Sequence, residues 1–268
     1  MLRVLLTGAC GGVGQRLRTL LRPHCDELVL SDLKAPADLL ADETFVSADL
    51  ANFDAVRQAV DVVDSIVHLG GYSVEGPWDE ILSANIVGTY NLFEAARLAG
   101  VKRIIFASSN HVAGFYSRQQ VIDATALPLP DSRYGVSKAF GEALGAFYAH
   151  KFGLGVLCIR IGNVADAPVD ERRLAVWHKP DDLVALVRIG LETPNPVYDV
   201  VYGTSDNAGS WWDNSRALEL GYRPSGRSQD WRADALAAQA HIQPDAVADR
   251  FQGGAFCSME FPKALPAL

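Results

Sequence analysis

Long apolar runs are missing from this sequence. No stretch approaches the ~20 residues that cross a bilayer, and the N-terminus passes straight into a strand-like pattern with no sign of a leader. Cysteine is scarce. Cys10, Cys25, Cys158 and Cys257 are widely scattered, with neither metal-ligand spacing nor a pairing framework, so the chain reads as one for a reducing cytoplasm and no metal is expected. Basic residues are outnumbered, 24 Lys+Arg against 32 Asp+Glu, for a formal net charge of -8. That excess argues against nucleic acid or an anionic membrane as partner, since both demand a basic face. An anionic small molecule must therefore be met by local cations. Repeats and low-complexity tracts are also missing. What remains is 268 residues, 49% hydrophobic and 21% charged, enough for one globular domain with a sizeable core and a small appended lobe.

Residues 4–7 make a buried-strand run that ends in Gly8-Ala9-Cys10-Gly11-Gly12-Val13-Gly14 and leads into a helical pattern over 15–21. Strand, glycine loop and helix in that order make a pyrophosphate cradle, because the glycines allow close backbone approach and the helix N-terminus offers free amides. The next strand, 27–30, ends in Ser31-Asp32, an acid 18 residues past Gly14. A carboxylate there accepts hydrogen bonds from an adenosine ribose and repels a 2′-phosphate, favouring NAD over NADP; a turn or helix cap is the plainer reading of it. A third strand, 44–48, ends in Asp49-Leu50, where Asp49 can meet an adenine amino group or cap the helix over 52–60. The fourth, 65–69, runs out through His68-Leu69-Gly70-Gly71-Tyr72-Ser73, again placing glycine at a strand's carboxyl end. His68 itself reads as a packed strand residue.

A long helix is expected over 78–99, carrying Asn85 and Asn91; interior asparagines disfavour helix, so at least one of them should have a specific partner. The fifth strand, 103–107, is nearly continuous in apolar residues, as a central parallel strand should be. It opens into Ser108-Ser109-Asn110-His111, polar groups placed where a substrate pocket at a sheet's carboxyl edge requires them. Tyr134-Gly135-Val136-Ser137-Lys138 then begins a helix reaching about residue 152, followed by a sixth strand at 155–161 and a seventh at 200–204. Tyrosine and lysine four residues apart share one helix face. Using the phenol as a base at neutral pH requires bringing its pKa down from ~10, about 4 kcal/mol of differential stabilisation, part of which a neighbouring ammonium supplies. Alone, the pair is an ordinary aromatic and an ordinary surface charge. Preceded by the glycine loop, the acid and the serine, it is a candidate proton-transfer pair.

This ordered set resembles the extended short-chain dehydrogenase/reductases over about the first 165 residues. A closer likeness, to the uronate dehydrogenases among them, lies in HLGGYSVEGPWDEILSANIVGTYNLFEAAR, FASSNHVAGFY, YGVSK, DNAG followed by WWDN, and RFQGG. The resemblance implies a Rossmann-type doubly wound parallel α/β sheet of order 3-2-1-4-5-6, with the NAD-binding domain over 1–163 and a small substrate-binding lobe over 164–268. It implies oxidation by NAD of the C1 hydroxyl of a cyclic hexuronate to an aldarolactone, with Tyr134 as base and Lys138 and Ser109 assisting. Cofactor contacts are expected at Gly8, Gly11, Gly12, Val13, Gly14, Asp32, Leu33, Asp49, Leu50, Leu69, Gly70, Gly71, Ser73 and Asn85, besides Tyr134 and Lys138. Substrate contacts are expected at Ser73, Ser109, Asn110, His111, Tyr134, Asn163 and Arg172. Around the last, the pattern departs from the family, with Asp170-Glu171 preceding Arg172-Arg173, so either arginine can be the one that reaches inward. The extra Ser210 before Trp211-Trp212 is read as packing. Homo-oligomerisation is expected too. The other readings are an epimerase or dehydratase that keeps its NAD, and a non-catalytic dinucleotide sensor on the same fold. The small lobe disfavours the first, and the retained tyrosine and lysine disfavour the second.

Overall fold

The computed structural model describes residues 1–194 and 197–262; positions 195–196 and 263–268, all within the lobe expected over 164–268, lie outside the described residues. In chain order the elements are β1 (Arg3–Thr7), α1 (Gly12–Leu21), β2 (Glu27–Asp32), β3 (Thr44–Ser47), α2 (Phe53–Val60), β4 (Ser65–His68), α3 (Trp78–Ile81), α4 (Gly88–Ala99), β5 (Arg103–Ser109), α5 (Arg133–Phe152), β6 (Gly155–Ile161), β7 (Asn163–Val164), α6 (Glu171–Val176), β8 (Trp177–His178), α7 (Pro180–Glu192), β9 (Tyr198–Gly203), α8 (Ser215–Glu219), α9 (Arg232–Gln239) and α10 (Ala255–Ser258). Seven strands pair in parallel in the order β3-β2-β1-β4-β5-β6-β9, the order expected from the sequence with the seventh strand on the β6 edge.

Alternation of side chains across β1 builds both layers of the core. Leu5 joins the cluster with Val56, Phe93 and Tyr148 from α2, α4 and α5. Val4 and Leu6 face the other way, into the cluster with Leu17, Leu21, Leu183 and Val187 from α1 and α7. Both faces of the sheet are thus covered, which is why its strands read as apolar runs.

The helix expected over 78–99 is interrupted. α3 gives way to a π-helical turn over Leu82–Val87 before α4 begins, and Asn85 is the residue that the turn directs inward. Its carboxamide oxygen accepts from the Tyr72 amide at 2.7 Å and its Nδ2 donates to the Tyr72 carbonyl at 2.9 Å. A wider turn inserts one residue and lets that side chain reach a loop beyond the helix. Asn91 also has its partner, donating to the Leu50 carbonyl at 2.9 Å.

Of the segment from residue 164, expected as a small lobe packed on the same domain, α7 and β9 complete the layers of the main sheet. The rest gathers at the carboxyl edge. β7 pairs with β8, and single bridges tie Phe251 to Ser117 and Trp212 to Ile122. Trp212 stacks on Tyr202 at 4.6 Å and donates from Nε1 to the Gln252 side chain at 3.0 Å, the packing role expected of that tryptophan pair.

Candidate active site

The carboxyl ends of the strands open into a cleft of about 820 Å³, where a parallel sheet places its ligands. At its floor α1 begins without a side-chain cap, leaving its first amides for an anion. The turn before it is so tight that a Cβ on Gly14 would lie 2.0 Å from the Gly8 carbonyl oxygen. That closeness brings the loop backbone to the cleft wall. Asp32 closes β2 beside it, its two carboxylate oxygens accepting from the amides of Cys10 at 2.9 Å and Leu33 at 2.8 Å. These two bonds hold the carboxylate in place at the cleft wall. Asp49 accepts from Ala51 N at 2.9 Å and lines the same cleft, so it both organises the turn before α2 and faces the ligand space. Gly8, Gly11, Gly12, Val13, Leu33, Leu50, Leu69, Gly70, Gly71 and Ser73 line it as well.

Asn85 is placed differently. It is buried behind the cleft wall, its amide engaged by Tyr72 and by Ser137 Oγ at 2.9 Å, so it braces the Ser73 loop where a direct cofactor contact was expected. The reason is the π-helical turn, which no helical periodicity reveals.

At the other end of the cleft α5 presents Tyr134. Ser132 caps that helix by accepting from Gly135 N at 3.0 Å, and Glu75 accepts from the Tyr134 amide at 3.0 Å while pairing with Arg133 at 2.6 Å. The turn that carries the phenol is therefore held from two sides. Lys138, one turn on, is 6% exposed, and its Nζ stands 5.6 Å from the Tyr134 ring centroid with no hydrogen-bond partner among the described residues. Both groups line the cleft with Ser109, Asn110, His111 and Asn163. Lys138 was expected to depress the tyrosine's pKa, and the chain alone does not achieve this. Burial pushes the Tyr134 phenol up to about 12, with the Ser109 side chain acting downwards and Asp131 upwards. Burial pushes Lys138 itself down to about 8. Both lie in one desolvated wall, and removal from water is the first cause of each shift.

A family model described as the NAD dependent epimerase/dehydratase family matches residues 4–174. The chain belongs to the NAD dependent epimerase/dehydratase family. Among members of this family, it is 47% identical over 255 residues to a uronate dehydrogenase of Pseudomonas syringae pv. tomato, covering 95% of this chain and 92% of that protein. A crystal structure of a glucuronic acid dehydrogenase from Chromohalobacter salexigens superposes with a TM-score of 0.92 at 45% identity, covering 96% of this chain and 97% of the other. A mutant of the uronate dehydrogenase from Agrobacterium tumefaciens, solved in complex with NAD, gives the same TM-score at 40% identity, covering 96% and 97% of the two chains. By sequence and by fold, this chain groups with the uronate dehydrogenases of the epimerase/dehydratase family.

The two arginines after β7 behave differently. Arg173 pairs with Asp170, the N-cap of α6. Arg172 turns inward, donating from Nε to the Gln252 carbonyl at 2.9 Å; with the Asn110 carboxamide turned so that its oxygen faces the guanidinium, as its hydrogen-bonding neighbours require, Nη2 donates to that oxygen at 3.2 Å. Burial pushes its guanidinium down to about 10, and it has no carboxylate partner among the described residues. Arg172 stands behind Asn110 and is not part of the cleft lining itself. Three residues in this corner escaped the sequence reading: Glu75 on the Ser73 loop, Asp131 beside His111 at 2.7 Å, and Phe256, stacked on His111 at 3.8 Å. Asp131 and Glu75 sit in proline- and glycine-punctuated loops with no periodicity, and Phe256 lies 145 positions beyond His111. Only the fold brings them together.

Proposed function

We propose that this protein is an NAD-dependent dehydrogenase that oxidises the C1 hydroxyl of a cyclic hexuronate, glucuronate or galacturonate, to the aldarolactone. The observation that carries the substrate class is Arg172, an inward guanidinium with no carboxylate partner among the described residues, next to Asn110 in a chain of net charge -8. A guanidinium drawn away from water without a carboxylate partner is costly unless something anionic meets it, and from its place behind Asn110 a planar fork that extends past that side chain suits a carboxylate. The relatives are named for such substrates, which supports the same choice.

The cleft's residues fit the dinucleotide: the Gly14 turn has no room for a side chain, Asp32 holds a carboxylate at the cleft wall after β2, where a ribose would lie, and Lys138 offers an ammonium with no partner among the described residues. NAD, when bound, accepts the hydride and adds a nicotinamide positive charge beside the phenol. Tyr134, as phenolate, takes the proton of the C1 hydroxyl. Ser109 hydrogen-bonds the same oxygen, Lys138 holds the nicotinamide ribose, and Ser73, Asn110, His111 and Asn163 orient the sugar. Asp32 sets the preference for NAD. The division of labour follows the chain, with 1–163 holding the cofactor and residues beyond 164 closing the substrate end. A cytoplasmic setting with no nucleic-acid or membrane partner is what the net charge and the four free cysteines support, and a homo-oligomer is part of the same proposal. Among the described residues no helix is long and apolar enough to cross a membrane.

The test is NADH absorbance with glucuronate, galacturonate and their neutral hexoses, each with NAD and NADP, for the parent and for Arg172→Ala and Arg173→Ala. Arg172→Ala is expected to lower kcat/KM on the uronates by about 2 to 4 kcal/mol, and Arg173→Ala to change it little. A parent that oxidises the neutral hexoses as well, or uses NADP equally, contradicts the proposal.

A further inference from the structure

The carboxylate of Asp131 is fully buried and lies 2.7 Å from His111 Nδ1. It meets no lysine or arginine within ion-pair distance among the described residues. Its other oxygen accepts from Ser132 Oγ at 2.7 Å, and Cys257 Sγ stands 3.8 Å away. Space for it exists only because two neighbours lack side chains. A Cβ on Gly114 would lie 1.8 Å from Asp131 Oδ2, and one on Gly253 1.9 Å from it. The loop after β5 and the segment before α10 thus close on one carboxylate from two sides.

His111 is held just as firmly. Phe256 stacks on its ring at 3.8 Å, Tyr134 meets it edge-on at 5.9 Å, and the imidazole lines the cleft beside Ser109 and Asn110. Its Nε2 has no protein partner among the described residues and is not sealed from solvent. A carboxylate accepts only, so the 2.7 Å contact requires a proton on Nδ1. In neutral imidazole the other nitrogen is then a bare acceptor.

We propose that Asp131 is a positioning residue for this reaction: it holds His111 in the Nδ1–H tautomer, so that Nε2 accepts a hydrogen bond from a ring hydroxyl of the sugar. The inference rests on the substrate reading above. It adds that the site selects a hydroxyl donor at this corner, while the carboxylate is left to Arg172. Buried charge at Asp131 also faces Tyr134, whose phenol it pushes upward, and Arg172, whose charge it favours, so its removal is not neutral for either. Gly114, Gly253 and Phe256 serve the same corner by shape.

Two measurements decide it. The first needs no change at Asp131: the imidazole nitrogen NMR spectrum of the parent, with the His111 signals assigned by their loss in His111→Phe. A proton-bearing Nδ1 and a bare Nε2 are expected, and the opposite tautomer overturns the proposal. The second is Asp131→Asn, whose amide oxygen keeps the Ser132 bond and turns its NH2 towards Nδ1, forcing the proton onto Nε2. That variant is expected to raise KM for the uronate at least about tenfold while NAD affinity stays at the parent value. In a His111→Phe background the same substitution is expected to cost clearly less than in the parent, what remains being the effect of the lost charge on Tyr134 and Arg172. A full additional loss there, or an unchanged KM in the single variant, assigns Asp131 to folding alone. The NMR result stands whether or not the parent turns over uronates, so failure of the substrate reading and failure of the Asp131 role are told apart.

Discussion

Asn85 Nδ2 donates to Ser137 Oγ at 2.9 Å, joining the π-helical turn that follows α3 to the start of α5, which carries Tyr134. Ser137 in turn donates to the Tyr134 carbonyl at 2.7 Å. Since Asn85 also holds both backbone groups of Tyr72, one buried amide sets the distance between the Ser73 loop and the tyrosine. Asn85→Ala strips these groups of their partners and is expected to cost about 1–3 kcal/mol. A urea midpoint equal to the parent's would contradict this.

Tyr134→Phe removes the proposed proton acceptor and keeps the ring that packs beside His111. Turnover is expected to fall by about 10²–10⁴-fold, the range typical of a positioned base, with NAD affinity near the parent's because the hydroxyl adds little to dinucleotide binding. Steady-state kinetics with a fluorescence titration of NAD checks both halves. Activity within about tenfold of the parent would place the base elsewhere.

A methyl on Gly14 would meet backbone, the Gly8 oxygen at 2.0 Å and the Ala9 carbonyl carbon at 2.9 Å, whereas one on Gly12 meets nothing within 4 Å. Gly14→Ala is therefore expected to lower Tm and weaken NAD at least tenfold, about 1.4 kcal/mol. Gly12→Ala should leave Tm at the parent's value or above, since alanine favours the helix it starts. Equal melting temperatures for the two variants would mean that the loop is not close-packed as described.

Two histidines make stability depend on pH. Burial, with a smaller push from Lys138, lowers His68 to about 3, and burial lowers His178 to about 4 against the pull of Asp182; the ordinary value is 6.5. Both folded pKa values lie below the unfolded one, so from 6.5 down to about 4 the unfolded chain binds protons that the folded chain excludes. Stability is complete above that window and falls as pH drops through it, by up to about 1.4 kcal/mol per pH unit for each histidine. Urea midpoints at pH 7.5 and 5 measure the loss, and identical midpoints would show that these rings are accessible to protons in the folded protein.

The cofactor half of the site was legible in the sequence because its information is local. Strand, Gly8 to Gly14, helix and Asp32 all lie within one βαβ unit, and hydrogen-bonding and glycine geometry specify that unit at short range. The same holds for Tyr134 and Lys138, which share a helix face by spacing alone; apolar runs ending in polar loops marked the strands, while their order was legible only through the family resemblance. The tertiary structure decided what depends on contacts between distant segments. It turned Asn85 from a cofactor contact into a brace, because a π-helical turn leaves no trace in hydrophobic periodicity. It separated Arg172 from its neighbour Arg173, because an N-cap carboxylate can hold only the arginine that faces it. It also closed Gly114, Gly253 and Phe256 around Asp131 and His111, a corner assembled from three loops far apart in the chain. Burial there sets which groups carry charge, and burial is a property of the folded whole that no single stretch of sequence contains.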